Sequence, residues 1–235
     1  MIRLMVSICI ISICFSFSIF AKEISVSTKY KWNLAKEVDG IKIFEAVVKG
    51  ADVVAFRGET TLHFPIERVV SSLADMERKE EWMHDLKEVR TLEILNPRVR
   101  IEYYHSGTPW PLSDRDFIYR AEFKYFPKAE TFVLNLQNAE HKSMPKREGV
   151  VRGKIIESNY FISKTDKPGV TKMAVEILVD PMGSVPKWLV NIFQKDWPRN
   201  TLTSLKRLMK DPSFETNKRV AKYINENILL LEKGE

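Results

Sequence analysis

Apolar and polar positions alternate through the middle of this chain and recur every three to four residues in its last third, which predicts strands followed by helices. Trp32-Asn33-Leu34-Ala35-Lys36 and Ile41-Lys42-Ile43-Phe44 flank Asp39-Gly40, a pair that tolerates positive φ and so predicts a tight hairpin. Val53 to Phe64 is rich in β-branched and aromatic residues; Pro65 stops that strand and suits the first turn of a helix. Ile66, Val69, Val70, Leu73 and Met76, with Trp82, Met83 and Leu86 beyond, predict a helical segment over Ile66 to Leu86, with Glu77-Arg78-Lys79-Glu80-Glu81 as its solvated part.

Strand patterning returns over Val99 to His105, Asp116 to Phe126, Thr131 to Gln137, Val150 to Ile162 and Val170 to Asp180. It is clearest where Phe117, Tyr119, Ala121, Phe123 and Tyr125 oppose Ile118, Arg120, Glu122 and Lys124, as in a sheet with one buried and one wetter face. Val185, Trp188, Leu189, Ile192, Phe193, Leu202, Leu205, Leu208 and Met209 form an apolar stripe at helical spacing, with Pro198 expected to kink or divide it. Val220, Tyr223, Ile224, Ile228 and Leu231 mark a shorter amphipathic helix. This order predicts an α+β fold in which a curved antiparallel sheet receives the long helix on its concave face. The space left between them suits a ligand.

The 235 residues are 44% hydrophobic and 29% charged, which excludes a disordered chain and fits one domain with a sizeable core. A net charge of +6 is too mild to imply nucleic acid. Arg3 precedes the uncharged run Leu4 to Ala21, the pattern of an export signal cleaved after Ala21; an uncleaved anchor is the rival reading. The expected organisation is therefore a signal over 1–21, a domain over 22–212 and a helical extension over 213–235. Cys9 and Cys14 both lie in the signal, so the mature chain has neither disulfides nor thiol chemistry to use.

No catalytic or cofactor motif stands out. His63, His84, His105 and His141 are scattered, without metal-ligand spacing, and no phosphate-binding glycine loop or nucleophile elbow is present. Two constellations remain. In Trp110-Pro111-Leu112-Ser113-Asp114-Arg115-Asp116-Phe117 two carboxylates flank an arginine, which either clips a loop or anchors a polar group at one end of an apolar cavity. In Asp180-Pro181-Met182-Gly183-Ser184-Val185-Pro186-Lys187-Trp188-Leu189-Val190-Asn191, Ser184 and Pro186 suit a helix start and Gly183 a hinge.

Together with Trp32-x-Leu34, Asp39-Gly40-Ile41-Lys42-Ile43-Phe44, Arg57-Gly58-Glu59 and Trp82, these segments resemble the START (StAR-related lipid transfer) domain family from about Trp32 to Met209. The resemblance implies a helix-grip fold whose C-terminal helix closes a hydrophobic tunnel around one lipid or sterol-like molecule, without catalysis or cofactor. The residues expected at that ligand are Glu102, Tyr104, Arg115, Phe117, Tyr119, Trp188, Leu189, Ile192 and Phe193. Some members pair a cavity acid with an arginine; Glu102 stands for the acid, whereas Ala121 occupies the place expected for the arginine. With the export signal, the resemblance implies a bacterial envelope protein that handles lipid in the periplasm. Transient membrane contact would come through basic residues from Lys195 to Lys222. The competing reading is a helix-grip enzyme, a cyclase or hydrolase, with Glu59, Glu102, Asp116 or His105 as acid or base.

Overall fold

A computed structural model describes residues 29–126 and 129–232. The segment read as an export signal lies outside them. The chain opens with strands β1 (Asn33–Val38), β2 (Ile41–Val47) and β3 (Val54–Leu62), followed by helix α1 (Ile66–Ala74). Strands β4 (Leu86–Asn96), β5 (Val99–Ser106), β6 (Asp114–Phe126) and β7 (Thr131–Asn138) come next. Then β8 (Val150–Arg152), β9 (Lys154–Lys164) and β10 (Thr171–Asp180) lead to helices α2 (Lys187–Lys210) and α3 (Lys218–Glu232). One sheet runs in the order β1-β2-β3-β10-β9-β7-β6-β5-β4, with the short β8 parallel to β6 and every other pairing antiparallel.

This is the curved antiparallel sheet gripping a C-terminal helix that the patterning predicts. Asp39 and Gly40 both adopt positive φ (54° and 69°), the geometry that a two-residue hairpin with the right twist requires. The face of the sheet opposite the helix, expected to be the wetter one, carries a row of paired polar residues of which Arg57, Glu176 and Asn159 are buried. Arg57 on β3 stands opposite Glu176 on β10, which faces Asn159 on β9 and then Asn135 on β7, and the guanidinium is salt-bridged to Glu176.

Three local expectations change. The helix read over Ile66 to Leu86 ends at Ala74, because the Asp75 carboxylate turns back to accept the backbone N–H groups of Glu77 (3.0 Å) and Arg78 (3.2 Å), an alternative to helix that Asp offers readily. A single 3₁₀ turn at Lys79–Glu81 follows, and β4 then occupies residues left without an element, as an edge strand whose side chains are mostly exposed. At the other end of the chain α2 runs unbroken through Pro198. Its first turn begins after Pro186 with no side-chain cap, so Ser184 does not fill the role assigned to it.

The core fills the concave face. Leu202, Leu205, Leu208 and Met209 of α2 are fully buried in one cluster with Ile43, Leu62, Met173 and Val175 of the sheet and with Leu73 of α1. α3 closes this end of the molecule, with Ile224 buried in the same cluster and Tyr223 edge-on to Phe132 at 6.2 Å. Backbone approach is closest where α2 crosses β3. A Cβ placed on Gly58 would stand 2.8 Å from the Pro198 Cβ and 3.0 Å from the Leu202 Cδ1. The helix rests there because glycine removes the obstruction, and the rigid proline ring fills the space.

Gly58→Ala is expected to lower stability by about 1–3 kcal/mol, because the added methyl overpacks a contact that the proline ring cannot relieve. Urea unfolding monitored by circular dichroism measures it; an unchanged midpoint would mean that α2 does not bear on β3 at this residue.

Candidate functional site

Between the concave face and the first half of α2 lies a cavity of about 490 Å³. Strand alternation, with a bulge in β9 that brings Ile155 round to the face of Tyr160, places its wall: Tyr104 of β5, Phe117 and Tyr119 of β6, Leu136 of β7, Ile155 and Tyr160 of β9, and Ile177 and Val179 of β10 all point inward. α2 contributes Val190, Gln194 and Trp197, and the segments around Gly107–Leu112 and Pro181–Val185 form the rim. Gln194 donates from its amide nitrogen to the Val179 carbonyl (2.8 Å), while its Oε1 is buried with no partner among the described residues.

Aromatic packing holds the wall in shape. Tyr160 meets Trp82 edge-on at 6.3 Å and Trp197 at 6.4 Å, and Tyr104 stacks on Phe117 at 5.9 Å. Phe117 owes its position to Gly153, where a Cβ would stand 2.2 Å from the ring. Burial pushes the Tyr104 phenol up to about 12 and raises that of Tyr160 further, so both stay neutral.

Past Tyr119, at the inner end, sits a buried charge cluster. Glu102, on the same face of β5 as Tyr104, is fully buried (0%) and paired with Lys79 and Arg100, and it accepts a hydrogen bond from the Tyr119 hydroxyl (2.7 Å). Lys79 is only 5% exposed, and its ammonium also lies 3.4 Å from the Tyr119 oxygen. Burial alone would raise the Glu102 carboxyl, but the charges of Lys79 and Arg100, with the hydrogen bonds, hold it below the usual carboxylate range. Burial pulls Lys79 the other way, below the usual lysine value, against the attraction of Glu102.

The structure therefore distributes the predicted residues unevenly. Tyr104, Arg115, Phe117 and Tyr119 line the main cavity. Glu102 does not; with Lys79, Arg100 and Ala121 it surrounds a separate void of about 20 Å³ beyond Tyr119. Ala121 stands at the place expected for the arginine, and Lys79 and Arg100 supply the positive charge beside Glu102 instead. Lys79 is thus a correction to the solvated charged run, because the chain turns inward after Asp75. Trp188 is 64% exposed and points away from the cavity, and Leu189 is half-buried without reaching it. The side chains of Ile192 and Phe193 lie outside the described residues.

The arginine-carboxylate constellation does not form an internal clip. Asp114 is held by Lys87 (2.7 Å), His105 (3.1 Å) and the Thr108 amide (3.0 Å), and Asp116 by two bonds from Arg152 (2.7 and 3.0 Å). Arg115 points the other way, into the cavity. Glu59 sits beside Arg57 on the opposite face of the sheet (2.5 Å), His105 and Asp116 are cross-strand neighbours on β5 and β6, and none of the three borders the cavity. Of the basic residues expected at a membrane, Arg199 is bonded to Asp39 (2.9 Å), Lys206 to Thr60 (2.9 Å) and Arg207 to the Glu81 carbonyl (3.0 Å).

Comparison with known proteins adds a lineage. A family model described as START domain matches residues 27–200. An uncharacterised protein of Pseudomonas aeruginosa is 27% identical over 175 residues, covering 74% of this chain and 85% of that protein. The phosphatidylcholine transfer protein of Bos taurus is 24% identical over 178 residues, covering 74% of this chain and 82% of that protein. The crystal structure of human STARD10 superposes with a TM-score of 0.70 at 20% identity, covering 85% of this chain and 78% of that one. That of a STAR-related lipid transfer protein from Xanthomonas axonopodis superposes with a TM-score of 0.67 at 26% identity, covering 77% and 99%.

Glu102→Gln is expected to cost about 3 kcal/mol at pH 7, because it strands Lys79 and Arg100 without their counter-charge. A carboxylate with a depressed native pKa stabilises fully above its unfolded value of about 4.3 and loses that contribution as the pH falls through the native value. The gap between wild type and variant in urea unfolding is therefore expected to narrow in acid; a gap independent of pH would contradict the ionised pair.

Proposed function

The chain belongs to the START domain family, and from that premise we propose that it binds one lipid molecule in the cavity between the sheet and α2 and carries it through water. The observation that carries this reading is the cavity itself. It is walled by aliphatic and aromatic side chains, it is of a size typical of ligand sites, and its tyrosines are neutral. Each methylene moved from water into such a wall contributes about 0.8 kcal/mol, so a long chain offsets the cost of ordering it.

The two lipid-named relatives, the phosphatidylcholine transfer protein and the Xanthomonas STAR-related lipid transfer protein, support lipid as the ligand class. We read the chain as a carrier and not as an enzyme: of the candidate acids and bases, Glu59, Asp116 and His105 do not border the cavity, and Glu102 is locked behind Tyr119 by two cations and a phenol. Three large apolar side chains stand exposed on or beside the rim: Trp110 (92%), Met182 and Trp188. Indole rings favour the boundary between water and hydrocarbon, so these residues give the carrier a surface on which to touch a membrane during exchange. With residues 1–21 read as an export signal, the proposed setting is the periplasm.

Native mass spectrometry of the protein purified from its own cells, followed by lipid extraction, tests the reading. One lipid per chain is expected, and Leu136→Asp or Ile177→Lys, which place a charge in the wall, are expected to abolish it. Protein that arrives empty and takes up no lipid from vesicles would overturn the carrier reading. Trp110→Ser and Trp188→Ser are expected to leave loading intact while slowing transfer between vesicles several-fold, measured with a fluorescent lipid; unchanged transfer would remove these residues from the membrane contact.

A further inference from the structure

Apart from Glu102 and its partners behind Tyr119, one charged side chain is enclosed at the cavity with no carboxylate in ion-pair contact among the described residues, the carboxylate of its neighbour Asp114 attracting it only from a distance. Arg115 is 6% exposed and reaches the wall from the first residues of β6. One of its terminal nitrogens donates to the Ser113 carbonyl, and its Nε is buried with no partner. Among the described residues no carboxylate forms a salt bridge with it. Its neighbours in sequence are engaged elsewhere, Asp114 by Lys87 and His105, Asp116 by Arg152.

Two other acids border the cavity. Asp196 is occupied by Lys36 (2.6 Å), and Asp85 stands exposed at the rim. Above Arg115 the segment carrying Gly183 closes over, with a Gly183 Cβ position 3.9 Å from the guanidinium. Burial pulls the pKa of Arg115 down against the attraction of Asp114, the direction expected of a cation deprived of water, yet a guanidinium remains charged in proteins. An enclosed cation with free donors and no carboxylate bonded to it is costly unless something that binds there supplies the negative charge.

Size adds a second constraint. A water-sized group, which a methylene roughly matches, takes about 30 Å³, so 490 Å³ holds on the order of sixteen such groups. One long acyl chain fits that volume.

We propose that the occupant is a single-chain anionic amphiphile, with its oxyanion head, a carboxylate or a phosphate, on the Arg115 guanidinium and its chain along Phe117, Tyr160 and Trp197. The inference rests on the lipid-carrier reading and narrows it. A planar guanidinium matches a carboxylate or phosphate with paired, charge-assisted bonds, which a hydroxyl head cannot reproduce. The apolar remainder discriminates poorly between chains of similar length, so selectivity resides in the head group.

The test uses delipidated, full mature protein titrated with palmitate, 1-palmitoyl lysophosphatidate, monopalmitoylglycerol and dipalmitoyl phosphatidylcholine vesicles, read by displacement of a fluorescent fatty acid and by native mass spectrometry. Palmitate or lysophosphatidate is expected to bind about 10- to 100-fold more tightly than monopalmitoylglycerol, and whichever is tighter identifies the head as carboxylate or phosphate. Arg115→Gln is expected to erase that preference while leaving monopalmitoylglycerol within about twofold, and Arg115→Lys to restore part of it. The head-group comparison on the wild type stands even if a variant fails to fold.

Binding of both palmitate and lysophosphatidate no tighter than that of monopalmitoylglycerol, or loading by the two-chain lipid alone, would overturn the inference and leave the carrier reading in place. No binding of any of the four would remove the carrier reading and the inference with it.

Discussion

The contact between Gly58 and Pro198 is the point on which the rest of this molecule turns. A curved sheet of this size cannot leave its concave face in water, and α2 is the element that covers it. Beyond Pro198 the helix presses onto the sheet through Leu202, Leu205, Leu208 and Met209. Before Pro198 the side chains of Val190, Gln194 and Trp197 border the cavity and meet the sheet at separate points, Val190 in the cluster of Ala46, Ala55 and Leu178, Gln194 at the Val179 carbonyl and Trp197 at Tyr160. One end of the helix is thus core and the other a roof, and the close crossing at β3 separates them. A proline that interrupts an isolated helix serves here as a rigid wedge, its lost backbone bond tolerated because the ring gains a flat partner.

Charge is treated in two opposite ways on the same inner face. Glu102 is surrounded by Lys79, Arg100 and Tyr119, a group whose mutual satisfaction makes burial tolerable and which closes the inner end against water. Arg115, two turns of the strand pleat away on β6, is left with one backbone acceptor. Structural clusters satisfy their members internally, whereas binding sites keep donors in reserve for what enters. That contrast separates the two groups more clearly than burial does, since both are almost fully enclosed.

The cavity keeps its volume through glycine and aromatic placement. Gly153 lets the Phe117 ring lie against the backbone of the neighbouring strand, and Tyr160 is clasped between Trp82 and Trp197. These rings cannot collapse into the space without breaking their own contacts, so the opening is part of the packing.

The strands, the Asp39-Gly40 hairpin, the long apolar stripe and the α+β class were all legible in the sequence, because alternation of two and recurrence of three to four are properties of neighbouring residues. So were Tyr104, Phe117 and Tyr119 as wall residues, once the inward face of β6 was known. Tertiary structure decided what depends on distant partners. Lys79 reads as one of five consecutive charges, and only the turn set by Asp75 carries it inward to Glu102, 23 positions on. Trp188 belongs to the apolar stripe by spacing, yet in its turn of the helix Val190 and Asn191 are the residues that meet the sheet, so Trp188 is left in water. Arg115 reads as a clip between two carboxylates because they are adjacent in the chain; the strand pleat sends them to the opposite face, and the cation is left to the cavity.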